Sequence, residues 1–266
     1  MILVMSGTEE GREIVERLND RGEGVVTTVA TEYGHEIYEK IGLGHLCLQG
    51  RLDITGLSEL IRNKNIKTLI DATHPYAAQA SLNAIKVSEE CGIKYIRFQR
   101  PSSVSDSACT DETATNELES VHFVKNMEEA LEWCRKSDRK NILLTTGFSS
   151  VEKFVKLKDE KNIYVRMLPM PAHIEQCVEM GIKSSNILAL QGPFSLELNK
   201  AIFNQYHIDV VVTKDSGKTG GVPEKIQAAI EMGIDTVVIQ REEIDYPVTC
   251  SSIDEVFCML GVEQKG

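Results

Sequence analysis

The sequence predicts an α/β protein built from two doubly wound parallel-sheet domains. Short β-branched or aliphatic segments alternate with helix-length amphipathic segments along nearly the whole chain. Because two parallel strands need a long crossover between them, this alternation predicts parallel sheets with helices on both faces. The length of 266 residues also favours two domains of about 100–150 residues, each able to bury its own core.

Residues 1–100 are the first predicted domain, in which polar turns separate strands from helices. The predicted strands are Ile2–Met5, Gly24–Val29, Lys67–Ile70 and Lys94–Phe98. The predicted helices are Glu10–Arg21, Glu32–Lys40, Leu57–Asn63 and Ala77–Cys91.

Residues 101–120 interrupt this pattern, since they are rich in Ser, Thr, Asp and Glu and show neither period. They predict a polar linker or lid between the domains. The alternation resumes over residues 121–266, the second predicted domain. Its predicted strands are Val121–Val124, Asn141–Thr145, Ile163–Met167, Asn186–Leu190, Asp209–Thr213 and Thr236–Ile239, and its predicted helices are Met127–Lys136, Ser149–Leu157, Ala172–Met180, Ser195–Gln205 and Pro223–Met232.

The composition disfavours several classes of partner. The 40 acidic and 29 basic residues give a formal charge of −11, which argues against nucleic-acid or polybasic membrane binding. No apolar run is long enough to span a bilayer, and the apolar start lacks the basic region of a signal peptide. The seven scattered cysteines indicate reduced thiols and a cytoplasmic location, and neither they nor the histidines have metal-ligand spacing.

Ligands of open parallel sheets bind beyond the carboxyl ends of the strands, so the residues that leave each strand are the informative ones. After the first strand, Gly7 suits a tight turn, and the following helix start could hold a phosphate. The motif is not G-x-G-x-x-G, however, and Glu9 and Glu10 would repel a phosphate. An ordinary glycine turn before an acidic helix start is the alternative.

The tip of the second strand, at Thr28, carries no acidic residue of the kind that grips the ribose of NAD. With Arg12 nearby, this tip suits the 2′-phosphate of NADP. The other interpretation is that threonine is simply a good strand residue.

Asp71, Thr73, His74 and Tyr76 cluster after the next strand. Pro75 fits the first turn of a helix that Thr73 or His74 would cap. A lone histidine at such a place often caps or packs, whereas the polar cluster around it favours a binding site.

In the second half, Thr146 and Gly147 leave one strand, and a segment from Gln191 to Ser195 leaves another. The loop 213–225 is rich in glycine and lysine, which suits an anion, although it lacks Walker A spacing and a solvated turn is the alternative. Arg166 and Arg241 add charge at strand ends. We therefore expect a small polyanion between the domains. Hydrolysis by covalent catalysis is disfavoured, since no G-x-S-x-G elbow appears.

Taken in order, these loops resemble the precorrin-6A reductase family, including its cobalt-precorrin-6A form, of corrin ring biosynthesis. The acidic segment 102–120 is the weakest match. The matching motifs are Gly7-Thr8-x-Glu10, Asp71-Ala72-Thr73-His74-Pro75-Tyr76-Ala77, Arg97-Phe98-x-Arg100-Pro101, Thr146-Gly147, Arg166-x-Leu168-Pro169, Gln191-Gly192-Pro193-Phe194-Ser195, Thr213-Lys214-Asp215-Ser216-Gly217, Gly220-Gly221 and Glu224-Lys225.

The resemblance implies two Rossmann-like domains with an interdomain cleft, in which NADPH transfers hydride to a double bond of a polycarboxylate tetrapyrrole. The cofactor set would be Gly7, Thr8, Glu10, Arg12, Thr28, Thr73, His74, Pro75, Tyr76, Thr146 and Gly147. The substrate set would be Arg97, Arg100, Arg166, Gln191, Gly192, Ser195, Lys214, Ser216, Lys218, Gly220 and Gly221. His74, Lys214 and Asp215 are the candidate proton donors.

Two other functions remain open at this point. One is a nucleotide-dependent α/β transferase with the same two-domain cleft. The other is a non-catalytic NADP sensor that responds to the nicotinamide redox state by changing conformation.

Overall fold

A computed structural model describes residues 1–99, 119–216 and 221–262 and divides the chain into two compact units. The first comprises Met1–Pro101 and Glu243–Gly266, and the second comprises Ser102–Glu242. The predicted site residues Arg100, Lys218 and Gly220 lie outside the described residues, as does most of the predicted linker at 101–120.

The first unit contains a sheet in which every described pairing is parallel. Its strands are β1 (Ile2–Ser6), β2 (Val25–Val29), β3 (Cys47–Gln49), β4 (Thr68–Ala72), β5 (Lys94–Phe98) and β12 (Thr249–Cys250). They lie in the order β12-β5-β4-β1-β2-β3. The direction of winding reverses between β1 and β4, which makes the carboxyl ends of these two strands the expected ligand position.

Helices cover both faces of this sheet because side chains alternate along each strand. They are α1 (Glu9–Asp20), α2 (Glu32–Lys40), α3 (Ile54–Asn63), α4 (Ala78–Cys91) and α10 (Ile253–Leu260), with a 3₁₀ turn at Gly44–Leu46. On one face Val4 and Ile70 pack with Ile14 of α1. On the other face Leu3 packs with Leu57 of α3.

The end of the chain belongs to the first unit, whereas the sequence had predicted one second domain over residues 121–266. The backbone N–H groups of Arg97 and Gln99 donate to the carbonyls of Val248 and Cys250, which fixes β12 beside β5. Phe257 of α10 is buried in the core of the first unit. Hydrophobic burial therefore anchors this segment, and β12 is too short to recognise from its own pattern.

The second unit contains another sheet with parallel pairing throughout its described strands. The strands are β6 (Val121–Val124), β7 (Asn141–Leu144), β8 (Asn162–Met167), β9 (Ile187–Ala189), β10 (Val210–Lys214) and β11 (Asp235–Ile239). The order is β6-β11-β10-β7-β8-β9, so the winding reverses between β7 and β10. The helices are α5 (Met127–Lys136), α6 (Val151–Phe154), α7 (Pro171–Glu179), α8 (Leu196–Gln205) and α9 (Val222–Glu231).

The predicted fold class is confirmed, since both units are parallel sheets flanked by helices. The sequence did not reveal β3, β12 or α10. The predicted helix Ser149–Leu157 is one α-helical turn flanked by 3₁₀ turns at Phe148–Ser150 and Val155–Leu157. Across the described ranges, no helix combines the length and apolar character that crossing a membrane requires.

Candidate functional site

A cavity of about 910 Å³ lies at the carboxyl edge of the first sheet. The ends of β1 and β2 and the segments that follow β3 and β4 all line it. It therefore occupies the β1/β4 reversal point, where open α/β sheets bind their ligands. Seven predicted cofactor residues line it, namely Gly7, Thr8, Arg12, Thr28, Thr73, His74 and Tyr76.

The other predicted cofactor residues lie elsewhere. Glu10 and Pro75 are not in the lining of this cavity. Thr146 and Gly147 belong to the second unit. Pro75 lies in a turn before α4, whose N-cap is Ala77 and has no side-chain hydrogen bond, so neither Thr73 nor His74 caps that helix.

The loop after β1 brings two backbones close together. A Cβ on Gly7 would lie 3.1 Å from the backbone nitrogen of His74, so a side chain here would push the two loops apart by a few tenths of an ångström. Thr8 is the N-cap of α1: its Oγ1 accepts from the N–H of Gly11 at 3.1 Å and donates to the carbonyl of Ala72 at 3.3 Å. The helix start is thus tied to the end of β4.

Arg12 faces the cavity but already has carboxylate neighbours on its own helix. Its guanidinium lies 3.6 Å from Glu9 and 3.7 Å from Glu16. These carboxylates would compete with a phosphate for Arg12. The acidic helix start that the sequence suggested is therefore present, and it weakens the first loop as a phosphate cradle.

The end of β2 is polar and carries no carboxylate. Thr28 is 7% exposed and lines the cavity. Beside it, the hydroxyl of Tyr38 donates to Oγ of Ser6 at 2.9 Å, and burial raises the pKa of Tyr38. This buried pair holds the floor of the cavity between β1 and α2.

Arg51 is a lining residue that the sequence analysis missed. The pairing of Val29 with Gln49, and a 2.9 Å hydrogen bond from Gly50 N–H to the Val29 carbonyl, place it beside the tip of β2. Arg51 is exposed and has no ion pair within the described part of the chain. Arg51 could have been predicted only from its place after β3, and the three residues of β3 are too few to show a strand pattern.

The loop after β4 rests on a buried ionic network. Nη1 of Arg97 donates to Oδ1 of Asp71 at 2.8 Å and to Oγ1 of Thr73 at 3.0 Å. Thr73 itself donates from Oγ1 to Asp71 at 2.7 Å, and the Tyr95 hydroxyl donates to Oδ2 at 2.8 Å. Burial, with the neighbouring Asp71 carboxylate, raises the pKa of Tyr95. The network fixes Thr73 at the cavity wall.

This network corrects the prediction that Arg97 meets a substrate carboxylate. Arg97 is 1% exposed, and its charge is balanced by Asp71 inside the first unit. Its guanidinium also lies 5.2 Å from the ring centre of Tyr246. Arg97 is a structural residue that supports Thr73.

His74 is exposed at the cavity, and its Nδ1 accepts a hydrogen bond of 3.3 Å from the backbone N–H of Tyr76. In a neutral imidazole whose Nδ1 accepts, Nε2 carries the proton. His74 therefore presents a donor nitrogen and shapes its own turn at the same time.

The second unit gathers its predicted residues at the carboxyl edge of its own sheet. Thr146 shares a hydrogen bond with Ser150, and Gly147 has a positive φ of 84°. Ser195 is the N-cap of α8, because its Oγ accepts from the N–H of Leu198 at 3.2 Å. Gln191 and Gly192 are exposed beside it, and Gly221 is the left-handed N-cap of α9.

Arg166 is 6% exposed, and neighbouring side chains hold its guanidinium in place. Its Nη1 donates to Oδ1 of Asn199 at 2.8 Å, and its guanidinium lies 4.2 Å from the ring centre of Phe194. Burial lowers the pKa of Arg166 to about 10.

Lys214 is the last residue of β10, and Asp215 follows it. Both are candidate proton donors, but their surroundings differ. Burial lowers the pKa of Lys214. Asp215 lies 3.5 Å from Nε of Arg241, which also donates to its carbonyl at 2.9 Å. Arg241 thus balances the charge of Asp215 instead of adding free positive charge to this edge. Ser216 is half-buried beside them.

Lys225 is a buried residue whose importance the sequence analysis missed. It is 5% exposed, and its Nζ donates to Oγ1 of Thr213 at 2.8 Å. Burial and the charge of Arg166 lower the pKa of Lys225 to about 7, against a smaller opposite effect of Glu224. The motif Glu224-Lys225 carried the residue, but nothing in the sequence indicated that Lys225 is buried in α9.

Comparison with known proteins agrees with this architecture. The family model described as precorrin-6x reductase CbiJ/CobK matches residues 1–261. The chain is 37% identical over 247 residues to a cobalt-precorrin-6A reductase of Methanothermobacter thermautotrophicus, covering 92% of this chain and 77% of that protein. It is 35% identical over 267 residues to the Priestia megaterium protein of the same name, covering 96% of both chains.

A solved structure of CobK precorrin-6A reductase has the same fold. It superimposes with a TM-score of 0.75 at 21% identity, covering 98% of this chain and 95% of that one. The match of the family model over nearly the whole sequence and the identity to the two reductases confirm the resemblance seen in the motifs. The chain therefore belongs to the precorrin-6x reductase family, CbiJ/CobK.

Proposed function

We propose that this oxidoreductase reduces one carbon–carbon double bond of cobalt-precorrin-6A with NADPH as the hydride donor. The observation that carries the proposal is the cavity of about 910 Å³ at the β1/β4 reversal point of the first unit. The two relatives described above bear the name of the cobalt-containing substrate. That name favours a ring that already holds cobalt.

The residues of the cavity suit NADPH. The close approach of Gly7 to the His74 backbone brings main-chain atoms of two loops together in the lining of the cavity. At the β2 tip, Thr28 lies where NAD-binding folds carry a carboxylate that hydrogen-bonds the ribose 2′-hydroxyl. Arg51, exposed beside this tip, would bind the 2′-phosphate, whereas Arg12 already faces Glu9 and Glu16.

The reduced nicotinamide would supply the hydride, so the protein has to position and protonate. Among the three candidate donors, Lys214 fits best, because burial lowers the pKa of its ammonium group and so makes it a stronger acid. His74 could donate as an imidazolium only if Nδ1 gave up the hydrogen bond that it accepts from Tyr76 N–H, since a neutral imidazole is a very weak acid. Asp215 faces Arg241 at 3.5 Å, so its carboxylate already has a cationic partner within the second unit.

The second unit suits the carboxylates of the tetrapyrrole. Arg166 and Lys214 are cations at the carboxyl edge of its sheet, and both have reduced contact with water. A desolvated cation attracts a carboxylate more strongly than an exposed one, because the local dielectric is lower.

The test is an anaerobic assay in which NADPH absorbance is followed with cobalt-precorrin-6A and, separately, with its cobalt-free form. Loss of NADPH absorbance with the cobalt form supports the proposal. An NADP sensor would bind NADPH without oxidising it, and a transferase would leave NADPH untouched and bind a different donor. Either of these results would refute the reductase proposal.

A further inference from the structure

Within the described ranges, the buried and nearly buried cations fall into two groups. Arg97 is neutralised by Asp71, and Arg241, whose side chain is 11% exposed, by Asp215. Lys161, 6% exposed, donates to the backbone carbonyls of Ser137 and Arg139. Each of these cations is thus either paired with a carboxylate or held by more than one hydrogen-bond acceptor, as is usual for a charge removed from water.

Arg166 and Lys225 do not follow that rule. Within the described residues neither has a carboxylate in ion-pair distance, although they are only 6% and 5% exposed. A guanidinium has five N–H donors and an ammonium three. The described acceptors are one oxygen for each side chain, Asn199 Oδ1 for Arg166 and Thr213 Oγ1 for Lys225. Most of their hydrogen-bonding capacity is thus unused by the protein.

The sheet register brings the two cations to one place. Leu144 of β7 pairs with Val212 of β10 and with Val165 of β8, so the next residues, Thr213 and Arg166, lie level on either side of β7. Two strand spacings, about 10 Å, separate their backbones. Arg166 and the Thr213-bound ammonium of Lys225 thus flank the β7/β10 reversal point, the expected ligand position of this sheet.

The surroundings hold Arg166 ready. The amide nitrogen of Asn199 donates to the carbonyls of Phe194 and Ser195 at 3.3 and 2.8 Å, which turns its oxygen towards Arg166. Phe194 covers one face of the guanidinium. Side chains fixed in this way lose little entropy when a ligand binds.

We propose that Arg166 and Lys225 together bind one carboxylate of the tetrapyrrole substrate at the β7/β10 edge of the second unit. The proposal rests on the proposed function for the identity of the ligand. The carboxylate supplies the negative charge that this buried cation pair lacks, and it neutralises the repulsion between Arg166 and Lys225.

The first test measures binding without turnover, using the fluorescence of uroporphyrin, an octacarboxylate tetrapyrrole. Lys225→Met should weaken uroporphyrin binding about 10-fold or more, since it removes a charge-assisted contact. Lys225→Arg, which keeps the charge, should lose less. Lys161→Met is the matched control, because Lys161 is buried to a similar extent but donates to backbone carbonyls. The Lys161→Met variant should bind uroporphyrin with wild-type affinity. The octamethyl ester of uroporphyrin should respond to none of these substitutions.

Equal uroporphyrin affinity of the wild type and a folded Lys225→Met variant would overturn the carboxylate site, and so would failure of the wild type to bind the probe. The NADPH assay separates this proposal from the proposed function. If the wild type consumes cobalt-precorrin-6A and Lys225→Met keeps its KM, the reductase function stands and the carboxylate site falls. If the wild type consumes no cobalt-precorrin-6A yet binds uroporphyrin through Lys225, the carboxylate site stands and the reductase function falls.

Discussion

Nη1 of Arg97 lies 2.8 Å from Oδ1 of Asp71, in a pair whose side chains are 1% and 0% exposed. The register of β4 and β5 makes the two residues direct neighbours across the sheet. Because both charges are removed from water, loss of either side chain would leave the other charge buried without a counter-ion. The same Asp71 carboxylate accepts from Thr73, so the network joins the interior of the first unit to its cavity wall.

Removing one partner of this pair should be costly. Arg97→Met leaves Asp71 buried without its counter-ion and should lower the free energy of unfolding by about 3–5 kcal/mol. Urea unfolding followed by circular dichroism measures the loss. Arg62→Met, an exposed arginine of α3, is the control and should change the stability by less than about 0.5 kcal/mol. Wild-type stability of Arg97→Met with weakened tetrapyrrole binding would restore Arg97 as a substrate residue.

Arg97 also shows what the sequence could and could not predict. Alternation of apolar and helical segments predicted most strands to within one or two residues, because burial on a parallel sheet dictates that pattern. The partner of Arg97 was invisible, since Asp71 meets it only through the register of two separate strands. For the same reason, the strand-end rule treated Arg97 as available to a ligand.

The two missed strands have a common cause, and the missed residues Arg51 and Lys225 each have their own. β3 and β12 span three and two residues, too few for any periodicity, and β12 is stabilised by pairing with β5 of the first unit. Arg51 was missed because it follows β3. Lys225 was missed because a lysine in an amphipathic helix is normally exposed, and its burial depends on the tertiary packing of α9.

Cofactor preference should depend on Arg51 more than on Arg12. Arg51→Ala should reduce NADPH affinity about 10- to 150-fold, the value of a charge-assisted contact to the 2′-phosphate, and leave NADH affinity nearly unchanged. Arg12→Ala should have a smaller effect, since Glu9 and Glu16 already face its guanidinium. Calorimetric titration of both cofactors measures the ratio. If Arg12→Ala abolishes the preference and Arg51→Ala does not, the two assignments have to be exchanged.

Gly11 should be required for the packing of α1 against the sheet. A Cβ at this position would lie 2.9 Å from Oγ of Ser6 and 3.0 Å from Cβ of Ala72, at the ends of β1 and β4. Overpacking costs about 1–3 kcal/mol, which outweighs the gain of about 1 kcal/mol in helix propensity. Gly11→Ala should therefore lower the melting temperature. Gly56→Ala is the matched control in α3, where a Cβ would meet the end of the Leu52 side chain at 3.3 Å, and it should be neutral or stabilising. Equal behaviour of the two variants would contradict this account of α1.

The stability of the second unit should depend on pH through Lys225. Burial, with the charge of Arg166, lowers the pKa of Lys225 from 10.5 to about 7. Below about pH 7 the lysine is charged in both folded and unfolded chains, so the folded state bears the whole cost of the buried charge. Between about pH 7 and 10.5 the unfolded chain binds the extra proton, so this residue makes stability rise with pH.

Lys225→Met removes the titration and keeps the volume of the side chain. Relative to the wild type, the variant should be most stable near about pH 6, and its advantage should shrink by at most about 1.4 kcal/mol per pH unit up to about pH 10. Urea unfolding of both proteins at several pH values measures the difference, in which titrations common to the two chains cancel. A difference between wild type and Lys225→Met that is constant with pH would mean that Lys225 keeps its proton in the folded chain, held there by a negative charge close to the ammonium group.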